Sequence, residues 1–62
     1  MNRYQDLLEL VQTFEKDFVK FYMKGNKTAG IRLRRNMQAL RGFAKLIRDE
    51  VQEMNKESEK NL

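Results

Sequence analysis

Four basic residues recur at intervals of seven, the spacing that places side chains along one side of an α-helix: Lys27, Arg34, Arg41 and Arg48. In a helix, neighbours at this interval lie about 10.5 Å apart, so the row would be ~30 Å long. Arginine suits anion binding because its planar guanidinium can pair with two phosphate oxygens at once. The spacing therefore predicts a row of cations, here called the basic ridge, able to follow a series of phosphate groups.

No acidic residue accompanies these bases in the middle of the chain. Residues 18–48 contain nine basic residues and no Asp or Glu, which gives +9, and the formal net charge of +4 leaves −5 for the remainder. Such asymmetry attracts polyanions, most commonly nucleic acid. An acidic protein, a membrane surface or a solvated flank partly neutralised by Glu15 are the alternatives. The candidate nucleic-acid-binding residues are Lys24, Lys27, Thr28, Arg32, Arg34, Arg35, Arg41, Lys45 and Arg48.

The composition argues against catalysis. The 62 residues include no Cys and no His, so disulfides, zinc fingers and His-dependent triads are excluded. The segment 25–30 has the G-x-x-x-x-G spacing of a phosphate loop, but Ile31-Arg32 stand where that motif requires Lys-Ser/Thr. The thiol-free, His-free chain is therefore expected to be no enzyme and to hold no metal, cofactor or small-molecule substrate. One acidic cluster fits an exposed helix end better than an acid–base pair: Asp49, Glu50, Glu53 and Glu57.

Apolar residues at alternating spacings of three and four predict two helices with heptad seams. We predict helix 1 over about residues 2–24, helix 2 over about 27–57, and a frayed end after that. The first seam is Tyr4, Leu7, Val11, Phe14, Phe18 and Phe21. The second seam is Gly30, Leu33, Met37, Leu40, Ala44, Ile47, Val51 and Met54.

The two seams are out of phase, so the chain must turn between them. One continuous helix would bury Arg32 and Arg35, at a cost of several kcal/mol as an order of magnitude. Gly25 accepts the left-handed conformation that ends a helix, and Asn26 is a favoured N-cap for the next. We therefore predict a turn at residues 25–26.

Folding the chain back at this turn brings the seams together. Facing residues then have numbers that add to 51 or close to it, which places Phe21 against Gly30 and, on one flank, Arg3 near Glu50. The pattern, the turn and the pairing agree. The predicted fold is all-α, a single domain over residues 1–62 made of an antiparallel, coiled-coil-like helical hairpin.

Such a hairpin has a single layer of contact. One layer rarely offsets the conformational entropy of ordering ~60 residues, and helix 2 outruns helix 1. We therefore predict a homodimer that forms a four-helix bundle, with a loose monomeric hairpin as the alternative. The candidate interface residues are Leu10, Ala39, Phe43, Leu46, Val51 and Met54.

The chain contains no candidate membrane span or leader. No stretch approaches the ~20 apolar residues that a membrane span requires. The first ten residues contain the charged residues Arg3, Asp6 and Glu9, a pattern that does not fit a signal peptide. We therefore expect a soluble protein of the cytoplasm.

Several stretches together resemble a known family across roughly residues 5–56: Phe14-Glu15-Lys16-Asp17-Phe18, Lys24-Gly25-Asn26-Lys27-Thr28-Ala29-Gly30, Arg32, Arg34, Met37-Gln38-x-Leu40, Ala44, Ile47-Arg48 and Glu50. The chain resembles the bacterial linker-histone-like family, which includes the chlamydial histone-like nucleoid protein and short relatives in Bacteroidetes. The most specific part is the Gly-Asn-Lys-x-Ala-Gly turn followed by spaced arginines. The resemblance implies a small DNA-binding protein that compacts the chromosome.

The sequence thus predicts a dimeric, sequence-nonspecific DNA-binding protein of the nucleoid that coats, bridges or compacts DNA. The alternative is a helical-hairpin adaptor whose basic tip docks an acidic partner, and a membrane surface is a weaker third option. Single-strand readers usually present stacking aromatics, and nearly all aromatics here belong to the seams, which favours duplex DNA. The choice between DNA and RNA, and the relative placement of the two basic tips in a dimer, stay open.

Overall fold

The computed structural model describes residues 2–60, with the side chains of residues 2–56. Over this range the chain forms three helices and no strand: α1 (Arg3–Gln12), α2 (Glu15–Tyr22) and α3 (Lys27–Lys60). The predicted all-α class is confirmed. α3 continues to Lys60 instead of ending near residue 57, because its last turns contain mostly Glu, Lys and Gln, which favour helix, and no Gly or Pro. Of the predicted frayed end, residues 61–62 lie outside the described part.

The segment predicted as one helix over residues 2–24 is two helices with a bend between them. The hydroxyl of Thr13 donates to the carbonyl of Leu10 at 2.6 Å, and the amide of Phe14 bonds to the carbonyl of Val11 at 3.0 Å. A threonine hydroxyl that bonds back to the preceding turn, together with i−3 amide bonds, tightens and bends a helix. The bend accompanies the burial of Phe14, whose side chain is only 4% exposed.

The turn between α2 and α3 depends on two adjacent residues with different tasks. Gly25 has φ 65°, a left-handed conformation that suits glycine, and its amide bonds to the carbonyl of Phe21 at 3.1 Å. The side chain of Asn26 accepts the amide of Ala29 at 3.1 Å and so caps the start of α3. One residue therefore ends α2 and the next begins α3.

α3 runs back antiparallel to α2 and α1, which confirms the hairpin. At the open end, Nη2 of Arg3 lies 2.6 Å from Oε1 of Glu50. At the turn, Gly30 packs so closely on Phe21 that a Cβ atom at Gly30 would lie 2.8 Å from Cε1 of that ring. Both predicted contacts are thus present. The chain measures 55 × 18 × 12 Å, the shape of a flat rod.

The hydrophobic core of this rod is thin. Among residues 2–56, only Phe14, Ala29 and Leu33 are buried. A single layer between helices leaves the outer half of each seam in contact with water. The exposed large apolar residues are Tyr4, Val11, Phe18, Val19, Phe21, Tyr22, Met23, Ile31, Met37, Leu46, Val51 and Met54.

Candidate nucleic-acid interface

One flank of α3, here called the paired flank, has its charges neutralised by α1 and α2. Arg32 donates from Nε to Oδ1 of Asp17 at 2.7 Å, and Asn36 donates to Oδ2 of the same carboxylate at 3.0 Å. Arg3 and Glu50 form the second pair on this flank. Hydrogen bonds from Arg32 and Asn36 lower the pKa of Asp17, and the hydrogen bond from Arg3 lowers the pKa of Glu50. These carboxylates are therefore held in their charged form.

The pairing of Arg32 changes the candidate anion-binding set. The sequence placed this guanidinium on the basic surface, whereas the structure directs it to Asp17 on the paired flank. Asp17 is only 17% exposed at its side chain, so the pair is partly shielded from solvent. We therefore leave Arg32 out of the proposed nucleic-acid surface and regard it as a link between α2 and α3.

The opposite flank of α3 carries the basic ridge. Lys27, Arg34, Arg41 and Arg48 are all exposed, and no carboxylate of residues 2–56 lies within 4.0 Å of their charged nitrogens. The neutralisation by Glu15 considered above is absent in this part of the chain. The ridge therefore presents a row of unpaired cations to solvent, which attracts polyanions.

The remaining candidate residues lie around the ridge. Lys24 is in the turn, Thr28 is in the first turn of α3, and Arg35 is on the outer face, all of them exposed. Lys45 pairs with Asp49 at 3.1 Å, but both side chains are more than half exposed. An exposed pair four residues apart on a helix is weak, so Lys45 stays available to another anion.

A shallow groove lies beside the middle of the ridge. It is lined by Gln38, Arg41, Gly42, Ala44, Lys45 and Arg48. Three cations thus border one depression, and apart from the adjacent residues and the backbone of α3 itself, no atom lies within 4 Å of the place where a Gly42 Cβ would stand. The space left open by Gly42 allows a phosphate backbone to approach the helix closely.

Sequence reasoning missed a second groove, at the turn end of the ridge. It has apolar walls and is bordered by Lys27 and Arg34. Tyr22, which follows the first seam directly, lies at the edge of this groove and is 72% exposed. The sequence did contain one indication of this groove: Tyr22 directly follows the seam residue Phe21, so its ring cannot lie in the seam. The apolar lining residues are Phe21, Tyr22, Gly30, Ile31, Leu33 and Met37.

Two other features are absent from the described part of the chain. Within it, no group of three or more Asp or Glu side chains is arranged to hold a metal ion. No helix there combines the length and the apolar content needed to cross a membrane.

Over residues 2–56 the chain is thus a short helical hairpin with one neutralised flank and, on the other, a row of cations that have no carboxylate within 4.0 Å. The family model described as histone H1-like protein Hc1 matches residues 1–57, and the chain belongs to this family. The resemblance seen in the sequence is thereby confirmed. The family is one of DNA-binding structural proteins, not of enzymes. No curated protein and no solved structure matches the chain.

Proposed function

We propose that this protein binds double-stranded DNA through the basic ridge, without sequence preference, and thereby coats, bridges or compacts DNA in the nucleoid. The observation that carries the proposal is the row of exposed cations with no carboxylate within 4.0 Å among residues 2–56. Membership of the histone H1-like family supports DNA as the polyanion. A row of separate cations contacts phosphates, which position a protein on DNA but carry no sequence information.

The length of the ridge suits a duplex. Its ~30 Å corresponds to about nine base pairs of helical rise, at ~3.4 Å per pair. The helix already fixes the spacing of the four backbone positions, so only the side chains have to become ordered when they meet phosphates. Binding should therefore depend mainly on counterion release.

The salt dependence of duplex binding tests this function. We expect log affinity to fall with log salt concentration at a slope of about −4 if the ridge contacts four phosphates, since each contributes ~−0.9. Fluorescence anisotropy with a labelled 20-base-pair duplex measures the slope, and a second duplex of unrelated sequence is the control for specificity. A flat salt dependence, or a strong preference for one of the duplexes, would contradict the proposal.

We further infer a homodimer in which two hairpins form a four-helix bundle. The accessible surface of the chain is 5747 Å², whereas a compact monomer of 7.5 kDa would expose only ~4,250 Å². The excess of ~1,500 Å² exceeds the ~800 Å² that each partner buries in an interface of standard size. Part of the excess belongs to the end of α3 beyond the Arg3–Glu50 contact.

The candidate interface residues divide into two groups. Leu10 and Phe43 are half-buried in the hairpin, and the other four are exposed: Ala39, Leu46, Val51 and Met54. Covering the exposed group would remove apolar surface from water and supply the second layer that a single hairpin lacks. Sedimentation equilibrium at micromolar concentration should give about twice the monomer mass. A folded species of monomer mass would rule the dimer out.

A further inference from the structure

We propose that the groove at the turn holds an unpaired base of a DNA strand, stacked on Tyr22, with Lys27 and Arg34 on the adjoining phosphates. This inference rests on the proposed function, because the basic ridge would deliver the strand to the groove. It adds a second mode of binding, to bases exposed in single-stranded or distorted DNA, that phosphate contacts alone do not provide.

The ring of Tyr22 is exposed and yet held in place. It lies nearly parallel to Phe18, with ring centroids 5.9 Å apart and planes 16° apart, and it meets Phe21 edge-on at 5.1 Å. These two neighbours limit the rotation of the ring, while 72% of the residue stays exposed. A ring that is oriented before binding loses little conformational entropy when a base stacks on it.

The groove matches the chemistry of a nucleotide. It is an open depression of about 420 Å³ with apolar walls, and the Phe21 ring packed against Gly30 forms part of one wall. A base has a flat apolar face and its phosphates are anionic, so apolar walls bordered by Lys27 and Arg34 complement both parts. Aromatic stacking within a positively charged groove is the usual means of binding single strands.

The charges of the groove favour DNA over a second copy of this chain. The lining contains two cations and no acidic residue. A two-fold interface through this face would bring Lys27 and Arg34 of both copies to one contact, where like charges repel. A nucleic acid strand instead supplies the opposite charge.

The chain permits a direct optical test, because it has two tyrosines and no tryptophan. In a Tyr4→Phe variant, Tyr22 is the one remaining tyrosine emitter. Titration with a 15-nucleotide oligo(dT) should quench this emission. The duplex of the same oligo(dT) with its complementary strand should quench it far less. Loss of one aromatic–base stack should weaken oligo(dT) binding about tenfold in Tyr22→Ala and leave duplex binding within about twofold. Tyr22→Phe should keep the affinity.

Tyr4→Ala is the matched control. Tyr4 is a similarly exposed tyrosine, 67% exposed, but it lies at the opposite end of the hairpin, so its loss should leave oligo(dT) binding unchanged. Helical circular dichroism verifies that each variant is folded. The inference is overturned if the Tyr22→Ala variant binds oligo(dT) as tightly as the wild type. It is also overturned if this variant has a changed sedimenting mass and binds single-stranded and duplex DNA equally weakly, because that result would mean that a second copy of the chain occupies the groove. Failure of the wild type to bind either DNA would overturn the proposed function as well, whereas salt-dependent duplex binding without tyrosine quenching would overturn this inference alone.

Discussion

Reversing the charge of two ridge residues, Arg34→Glu together with Arg41→Glu, should weaken duplex binding at least a hundredfold near physiological salt. Each arginine can form a charge-assisted hydrogen bond to phosphate, worth ~1.5–3 kcal/mol. Two such losses give ~3 kcal/mol or more, or about two orders of magnitude in affinity. The two new carboxylates would add repulsion. The slope of log affinity against log salt should also fall in magnitude by about 2, because two phosphates lose their partners.

The control must carry the same change in net charge elsewhere. Lys16→Glu with Lys56→Glu is suitable, since both lysines are exposed and neither belongs to the ridge. We expect this variant to lose severalfold in affinity through long-range attraction alone and to keep most of its salt slope. Equal weakening of both variants would show that binding follows net charge, and the ridge would lose its special role.

Replacing Gly30 by valine should lower the free energy of unfolding by about 1–3 kcal/mol, the usual cost of overpacking a close contact. A Cβ at this position would lie 2.8 Å from Cε1 and 2.9 Å from Cδ1 of Phe21. Relief of this overlap requires the ring to move or α2 and α3 to separate near the turn. For a chain of this size each kcal/mol shifts the melting temperature by about 4–8 °C, which thermal denaturation followed by circular dichroism measures.

Gly42→Val is the matched control, because the same substitution is made in the same helix. Apart from the adjacent residues and the backbone of α3, no atom lies within 4 Å of a Cβ at Gly42, and valine has a somewhat better helix propensity than glycine. The melting temperature of this variant should therefore stay the same or rise slightly. Similar destabilisation at both positions would mean that a β-branched residue in α3, and not the contact with Phe21, is the cause.

The main fold could be predicted because two signals agreed. Out-of-phase seams required a turn, and Gly25-Asn26 supplied residues able to form one. The bend at Thr13 escaped prediction because the apolar period passes through it unchanged. Hydrophobic spacing reports which face is buried, but it does not report a hydroxyl that competes for a backbone carbonyl.

The candidate site was predicted in part. The heptad spacing identified the basic ridge, because helical periodicity alone fixes which cations share a flank. The pairing of Arg32 with Asp17 was missed, because only Glu15 was considered as a neutralising acid. The register of the hairpin contained that information, since Asp17 faces the turn of α3 that carries both Arg32 and Asn36. The groove at Tyr22 was missed because Tyr22 lies outside the seams, and periodicity does not report how much of Phe21 and the neighbouring seam residues a one-layer core leaves exposed.

The separation of charges between the flanks of α3 has a consequence for how DNA molecules are joined. If DNA binds along the basic ridge, as proposed, a hairpin whose other flank is closed by ion pairs would hold one double helix at a time. Holding two DNA segments together would therefore require two hairpins whose basic ridges face in opposite directions. At protein concentrations where most hairpins are monomeric, the cross-linking of DNA should then rise with the square of the protein concentration. The coating of DNA should rise linearly.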